Sequence, residues 1–193
     1  MKTLSVADFA VSPLKVEHAT STLISETISW KSQRLSRGLH RLVISGDIML
    51  YNDADTKAWE AFYLSLKGEA EPFILDCNTD NDQWHNPFFT RVSGRHTTET
   101  KLGINQSKIG LIGNMSGIKP GCKFQIGSQT KVFTITSVSG NQIEFFPASR
   151  FDEPAGAIVT FNVKPKLYLS DSNSSVQYGE RGTKVSFKCV EVM

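Results

Sequence analysis

An acidic loop is the part of this sequence that most nearly matches a metal site. In DCNTDND, Asp76, Asn78 and Asp80 stand at positions 1, 3 and 5 of the spacing that EF-hand loops use for calcium. Position 6 holds Asn81 where the sharp turn needs glycine, and position 12 holds Pro87 where a bidentate glutamate belongs. Because the match fails at its two most demanding positions, we predict a turn stabilised by Asp and Asn side chains and no bound metal.

The four histidines give no motif for catalysis or metal ligation. His18, His40, His85 and His96 form neither an HExxH nor an HxH pattern. His85 follows an aspartate-rich stretch and is a candidate acid–base group, but no nucleophile elbow or activated cysteine accompanies it. We therefore predict that the chain is not an enzyme and needs no cofactor.

The three cysteines are widely spaced. Cys77, Cys122 and Cys189 form no CxxC pair. An odd number at wide spacing is typical of reduced core thiols and not of a disulfide framework or a zinc site. We predict that all three are buried and inert.

Two groups of side chains suit a nucleic-acid partner. One is a basic group within WKSQRLSRGLHR, formed by Lys31, Arg34, Arg37, His40 and Arg41. The other is a set of phenylalanines that can offer stacking platforms, namely Phe124, Phe133, Phe145, Phe146, Phe151 and Phe161. Core packing is the competing explanation for most of this set, because Phe133 alternates with Ile135 as inward-facing strand residues do. Adjacent Phe145 and Phe146 must point in opposite directions.

The amino-acid composition limits the classes to which this protein can belong. The chain has 193 residues, of which 39% are hydrophobic and 21% charged, as in an ordinary globular protein. A net charge of +2 lacks the strong basic excess of a dedicated nucleic-acid binder. No stretch reaches the roughly 18 apolar residues of a membrane span, and the N-terminus lacks an uninterrupted apolar region. We expect a protein without a membrane anchor that is used without export.

One helix is predicted, over DADTKAWEAFYLSLKG. Asp53 or Asp55 can cap its start, while Lys67 suits the end of the helix dipole and Gly68 the left-handed position that follows. The apolar stripe consists of Ala58, Trp59, Phe62 and Leu66. This helix is expected to pack flat on a sheet.

The rest of the sequence predicts short strands. Ile28 to Tyr51 reads as strand, with a buried side formed by Leu42, Ile44, Ile48 and Leu50 and with Gly46 marking a bulge or bend. PFILDC is a further strand, and so are the segments Thr90 to Val92, Lys108 to Ile112, Lys123 to Ile126, Lys131 to Val138, Gln142 to Phe146, Ala157 to Val163, Leu167 to Leu169 and Val185 to Val192. Residues 1–28 carry no clear assignment.

The strands predict a mainly β protein in two parts. Residues 1–87 with 165–193 form a β-sandwich that carries the helix, and residues 88–164 form an inserted small β-barrel. A single continuous sandwich is the alternative.

The order of these segments resembles a known family. RLVISGDIMLY, DTKAWEAFYLSLKG, EPFILDCN, a glycine-rich β insert and VSFKCVEVM follow one another as in the distal tail protein of long non-contractile-tailed phages. Within the insert, KPGCKFQIGSQTKVFTITSV, NQIEFFPASR and GAIVTFN resemble the variety with an OB-like second domain. The similarity covers most of the chain after about Ser29.

The resemblance implies a structural function. Such proteins form a ring, expected here to be a hexamer, that joins the tail tube to the baseplate or to tip and hub proteins and leaves a lumen through which DNA passes. The implied location is the virion tail tip, after assembly in the host cytoplasm, and the OB-like domain can contact a surface saccharide. Candidate interface residues are Arg34, Arg37 and Arg41 for the ring or lumen, and Trp84 and His85 for a loop between domains. The alternative is an OB-like binding module for carbohydrate or single-stranded nucleic acid, and an enzyme of unrecognised type stays open.

Overall fold

The computed structural model describes residues 2–26, 32–78, 86–170 and 182–192, and this part of the chain is mainly β. These ranges contain one helix, α1 (Asp53–Ser65), and twelve strands. The strands are β1 (Lys2–Ser5), β2 (Ala10–Glu26), β3 (Ser32–Leu50), β4 (Phe73–Asp76), β5 (His96–Thr98), β6 (Lys108–Ile112), β7 (Lys123–Ile126), β8 (Phe133–Ser139), β9 (Gln142–Phe146), β10 (Ile158–Thr160), β11 (Lys166–Leu169) and β12 (Thr183–Glu191).

Six of the strands form one sheet, in the order β1-β4-β11-β12-β3-β2. All neighbours are antiparallel except β1 and β4, which run parallel. The predicted inward side of β3 is confirmed, since Leu42, Ile44, Ile48 and Leu50 are buried. The other six strands close into a barrel in the order β10-β5-β6-β9-β8-β7, whose neighbours are all antiparallel.

Gly46 faces the core of the sheet and lies against an aromatic ring. A Cβ atom at this position would come within 3.1 Å of the Phe187 ring and of the Pro13 carbonyl oxygen. The predicted bulge is in the neighbouring strand, because the pairing of β2 with β3 shifts between Val11 and Leu14. Glycine at position 46 thus provides room for the ring of Phe187.

Helix α1 covers one face of this sheet through an aromatic cluster. Trp59 is buried and packs edge-on against Phe9, with ring centroids 5.9 Å apart. Phe62 packs edge-on against Phe73 at 5.6 Å. The predicted stripe is correct for Trp59, Phe62 and Leu66 but wrong for Ala58, which is exposed because Thr56 and Tyr63 share the inward face instead.

Asn52 caps the start of α1, so the prediction of Asp53 or Asp55 was wrong. Its side-chain oxygen accepts a hydrogen bond of 2.8 Å from the backbone N–H of Asp55. The Asp55 carboxylate accepts in return from the backbone N–H of Tyr51 at 3.3 Å, which resembles a capping box. At the other end Gly68 is left-handed as predicted (φ 70°), and Lys67 is also left-handed (φ 53°).

The strand predictions were most accurate in the barrel. β6, β7 and β9 have the predicted bounds, while β8 begins two positions later than Lys131 and β10 is confined to Ile158–Thr160. The predicted strand at Thr90 to Val92 is absent, and β5 lies at His96–Thr98 instead. The unassigned N-terminal region holds β1 and the long strand β2. Outside the barrel, the described strands form one sheet, so the predicted sandwich stays a prediction.

The sheet and the barrel have separate hydrophobic cores with a shared boundary. The barrel core contains Phe124, Phe133, Phe145 and Phe161, which confirms the core interpretation for these four phenylalanines. The core under the sheet also includes Phe88, Val132 and Val163, which come from the chain segment that forms the barrel. These three side chains pack the barrel segment against the sheet.

We expect Trp59→Ala to lower the free energy of unfolding by about 3–5 kcal/mol, since it leaves a large cavity between α1 and the sheet. Leu64→Ala is the matched control on the same helix, because Leu64 is exposed and its loss should change stability by no more than about 0.5 kcal/mol. Urea unfolding followed by circular dichroism measures both. Equal effects of the two substitutions would contradict the packing of α1 described above.

Candidate functional site

The most distinctive feature is a two-stranded arm that extends beyond the sheet. β12 pairs with β3 only from Val43 to Leu50, whereas β2 pairs with β3 as far as Glu26 and Ser32. The arm comprises residues 18–26 of β2 and 32–42 of β3, a length of roughly 30 Å at the usual rise per strand residue. Most of its side chains are exposed.

Apolar side chains lie on both faces of the arm. Leu23 and Leu35 are directly opposite each other, exposed by 53% and 66%. Ile24 lies on the other face, opposite Arg34, and is also exposed. The arm therefore carries apolar surface that the described chain does not cover.

A bulge separates the outer arm from its base. The pairing shifts between Thr20 and Thr22, and β3 contains the extra residues, among which Gly38 has φ 64°. Glycine adopts this left-handed conformation without steric cost. An open groove of about 270 Å³ lies here, lined by Ala19, Thr20, Ser21, Leu39, His40 and Arg41.

The structure does not gather the predicted interface residues into one patch. Arg34 pairs with Ile24 and Arg41 with Ala19, positions of opposite parity on β2, so the two exposed arginines lie on opposite faces of the arm. Arg37 lies in β3 within the bulge, but its side chain is outside the described part, as is Lys31. Trp84 and His85 also fall outside the described residues.

A buried carboxylate joins the base of the arm, the sheet and the barrel. Glu191 of β12 is 1% exposed, and its oxygens accept hydrogen bonds from the backbone N–H of Leu42 at 3.0 Å and of Val132 at 2.8 Å. Its third partner is the Lys131 ammonium, which also donates to the His40 carbonyl oxygen at 3.0 Å. Burial lowers the pKa of Lys131, and the Glu191 charge opposes that shift. We call Glu191, Lys131 and their bonded groups the junction.

A histidine pair lies next to the junction. His40 is 2% exposed, and its Nε2 atom is 2.9 Å from Nδ1 of His18. The His40 ring packs edge-on against Phe146 of the barrel, with centroids 5.2 Å apart. Phe146 is the half-buried member of the Phe145–Phe146 pair, and Phe145 is buried, as their opposite directions predicted.

Sequence reasoning missed the junction, although one local signal was present. In β12 the buried positions alternate, with Val185, Phe187, Cys189 and Glu191 on the inward side. His40 likewise shares the inward parity of Leu42 on β3. A charged or polar residue on an apolar face indicates a buried partner, but the sequence cannot name that partner because Lys131 and Glu191 are far apart along the chain.

The acidic loop forms local contacts where it is described. The Asp76 carboxylate accepts from Lys164 Nζ at 2.6 Å and from the backbone N–H of Asn78 at 3.1 Å. Burial is the largest single influence on the pKa of Asp76 and raises it, but the contacts with Lys164 and Asn78 together lower the pKa below its usual value. Asp80 and Asn81 lie outside the described residues. Across the four described ranges, no three His, Cys, Asp or Glu side chains converge to hold a metal ion.

Comparisons with protein-family models and with curated proteins give no match. Among the described residues, none belongs to a helix with the length and apolar character of a membrane span.

The cysteines differ in burial. Cys77 and Cys189 are buried, and burial raises the pKa of both thiols, that of Cys77 to about 12. Cys122 is half-buried, so the prediction that all three are buried was wrong for this one.

We expect the native protein to react with a thiol reagent at Cys122 first and at Cys77 and Cys189 only on unfolding, because buried thiols rarely form the thiolate. Time-resolved labelling with mass spectrometry identifies each site. The variant Cys122→Ser should lose the early reaction, and early labelling of Cys77 or Cys189 in that variant would contradict the burial of these thiols.

We expect Glu191→Ala to lower the free energy of unfolding by about 3–5 kcal/mol, because it leaves a buried ammonium and two backbone N–H groups without their acceptor. Glu144→Ala is the matched control, since Glu144 pairs with Lys108 on the surface and such pairs contribute about 0–1 kcal/mol. Denaturant unfolding measures both variants. A loss at Glu191 no greater than that at Glu144 would contradict the importance of the junction.

Proposed function

We propose that this chain is a structural protein of a phage tail tip that forms a ring, expected to be a hexamer, between the tail tube and the tip or hub proteins. The observation that carries the proposal is the arm, which extends past the sheet with exposed apolar residues on both faces. The order of the sequence segments supports the same family of functions.

The arm has no core of its own. A two-stranded ribbon is marginally stable in water unless it packs against further strands or another surface. Beyond the bulge, the Leu23–Leu35 pair and Ile24 have no buried packing within the described chain. An arm of this kind gains stability when its apolar residues pack on a partner, and a second copy of the chain is the partner that ring formation supplies.

The outer edge of the sheet suits the same arrangement. β2 is the last strand of the sheet, so its outer edge is unpaired within the described chain. Pro13 and the adjacent bulge interrupt the first part of this edge, but the segment after Lys15 contains no proline. In a cyclic ring, two different surfaces of neighbouring subunits meet and the rotation closes the assembly. The edge of β2 and the faces of the arm are suitable surfaces for one side of such a contact.

The two structural parts have different roles in this proposal. The sheet with α1 corresponds to the ring-forming β-sandwich domain of residues 1–87 and 165–193. The closed barrel corresponds to an OB-like insertion of residues 88–164, displayed beside the ring. In this arrangement DNA passes through the lumen of the ring, and no residue is proposed to recognise its sequence.

A binding module is the second candidate, and exposed side chains on the barrel favour it. Phe151 is 60% exposed, and Ile104 is held nearby because its backbone N–H donates to Asp152 at 3.1 Å. An exposed aromatic ring is a common platform for a sugar or a base. Glycan and oligonucleotide arrays probed with the wild-type chain and with Phe151→Ala test this candidate, and binding lost in the variant would support it.

We expect the wild-type chain to associate into a large species, and Leu35→Glu to weaken this association tenfold or more, because the substitution places a charge in the apolar contact. Light scattering across a concentration series, with negative-stain images of the large species, measures the effect. Leu64→Glu is a closely matched control: Leu64 is also 66% exposed but lies on α1, so this variant should associate as wild type does.

A wild-type chain that stays monomeric at high concentration and also fails to bind tail-tube protein would contradict the ring proposal. Equal weakening by both substitutions would locate the contact away from the arm. Circular dichroism should show that neither exposed substitution changes the fold.

A further inference from the structure

Among the described residues, His40 is a point of contact between the base of the arm and the barrel. Besides the ring contact of His40 with Phe146, the Lys131 ammonium binds the His40 carbonyl oxygen. Any change at His40 therefore acts on the contact between arm and barrel. His40 is not one of the predicted interface residues, and the proposed ring gives it no role.

The hydrogen bond between the two histidines determines how they carry their protons. Nδ1 of His40 is buried and has no hydrogen-bond partner among the described residues. An N–H donor left without a partner in a buried place is costly, so Nδ1 is the atom that stays unprotonated. His40 then donates through Nε2 to Nδ1 of His18 at 2.9 Å. The bond requires His18 Nδ1 to be unprotonated, and the buried Nδ1 of His40 avoids an unpaired N–H only while that ring is neutral.

A proton on either histidine is unfavourable in the closed arrangement, for different reasons. Protonation of His40 creates a buried N–H at Nδ1 that has no acceptor. Protonation of His18 places an N–H at its Nδ1, where it meets the N–H of His40 Nε2. Protonation of His18 therefore breaks the hydrogen bond between the rings. Protonation of His40 keeps that bond but places a charge and an unpaired N–H in a buried position.

The surroundings of the pair are mainly positive. The charged groups that face the pair or the adjacent Lys131 come from every neighbouring element: Arg41 on β3, Lys123 on β7, Lys131 before β8, Arg150 after β9 and, as the one anion among these groups, Glu191 on β12. Glu191 is already bonded to Lys131 and two backbone N–H groups. Its negative charge is already paired with Lys131, so it does little to stabilise a positive charge on the histidines.

We propose that the His18–His40 pair is an acid-sensitive latch, which holds the base of the arm on the barrel at neutral pH and releases it when the pair is protonated. The groups around the pair also favour the neutral form of both rings. Burial, and then the charge of Lys131, lowers the pKa of His40 to about 4, and burial followed by Lys123 lowers that of His18. The latch does not depend on ring formation, because a single chain already contains the base of the arm and its contact with the barrel.

The sign of the effect follows from these pKa values. An imidazole free in water has a pKa near 6.5, above the value of about 4 for His40 in the closed state. The open state therefore binds the proton more tightly, and the closed state is fully favoured above about pH 6.5 and loses preference as the pH falls toward 4. At pH 5 the ratio of closed to open states should be roughly thirtyfold lower than at pH 7.5.

Hydrogen exchange of the full chain, corrected for the intrinsic effect of pH on exchange, tests the latch. At pH 5.0 we expect peptides covering residues 38–44 and 129–135 to lose roughly tenfold or more of their protection at pH 7.5. Peptides covering β9 and the sheet-paired part of β3 beyond residue 44 should keep theirs. His40→Gln should abolish the pH dependence. His96→Gln should retain it, because His96 is equally buried but lies in the barrel, bonded to the Asn114 carbonyl oxygen.

Three results would overturn the proposal: no loss of protection at pH 5.0, a loss spread evenly over the whole chain, or an unchanged loss in His40→Gln. If His40→Gln does not fold, NMR titration of the wild-type histidines decides the matter. A His40 pKa below 5 supports the latch, and a value near 6.5 overturns it. None of these results depends on ring formation, so the two proposals can fail separately.

Discussion

The position of the barrel on the sheet depends on one buried carboxylate. Glu191 ends the central strand β12, and it takes hydrogen bonds from β3, through the Leu42 N–H, and from the barrel, through Lys131 and the Val132 N–H. Moving a carboxylate and an ammonium out of water costs several kcal/mol per ion, and only good geometry with further hydrogen bonds offsets that cost. The three donors must therefore be in place together. This requirement fixes the barrel and the base of the arm relative to the sheet.

The junction differs from an isolated buried ion pair. Such a pair can often be replaced by apolar residues without loss of stability, because both charged groups disappear together. Here two of the three donors are backbone N–H groups, which remain in every variant and still need an acceptor. An apolar substitution at position 191 would leave them unsatisfied. The nearby side chains of Phe88, Val132 and Val163 bury apolar surface between barrel and sheet, but such contacts are not directional. The hydrogen bonds of the junction define the position of the barrel on the sheet.

The sequence predicted best the longer barrel strands with one buried and one exposed side, and it missed β2 and the short strands β1 and β5. The barrel strands over Lys108–Ile112, Lys123–Ile126 and Gln142–Phe146 were predicted to the residue, since alternation and turn residues define them. β2 was missed because much of it lies in the arm, where both faces are exposed and alternation carries no information. The candidate site was predicted least well: Arg34 and Arg41 are near each other in sequence, but the pairing register separates them onto opposite faces. Glu191 and Lys131 meet only through tertiary packing, which a local pattern does not encode.

The division between polar base and apolar arm has a mechanical consequence. The outer arm can bind a partner through Leu23, Ile24 and Leu35, but apolar contacts are not directional and do not decide where the arm points. Direction comes from the base, where Lys131 binds the His40 carbonyl oxygen and the His40 ring packs on Phe146. Affinity and orientation are therefore set by different residues. A substitution in the outer arm should weaken a contact without redirecting it, and a change at the base should redirect the arm while its apolar surface stays intact.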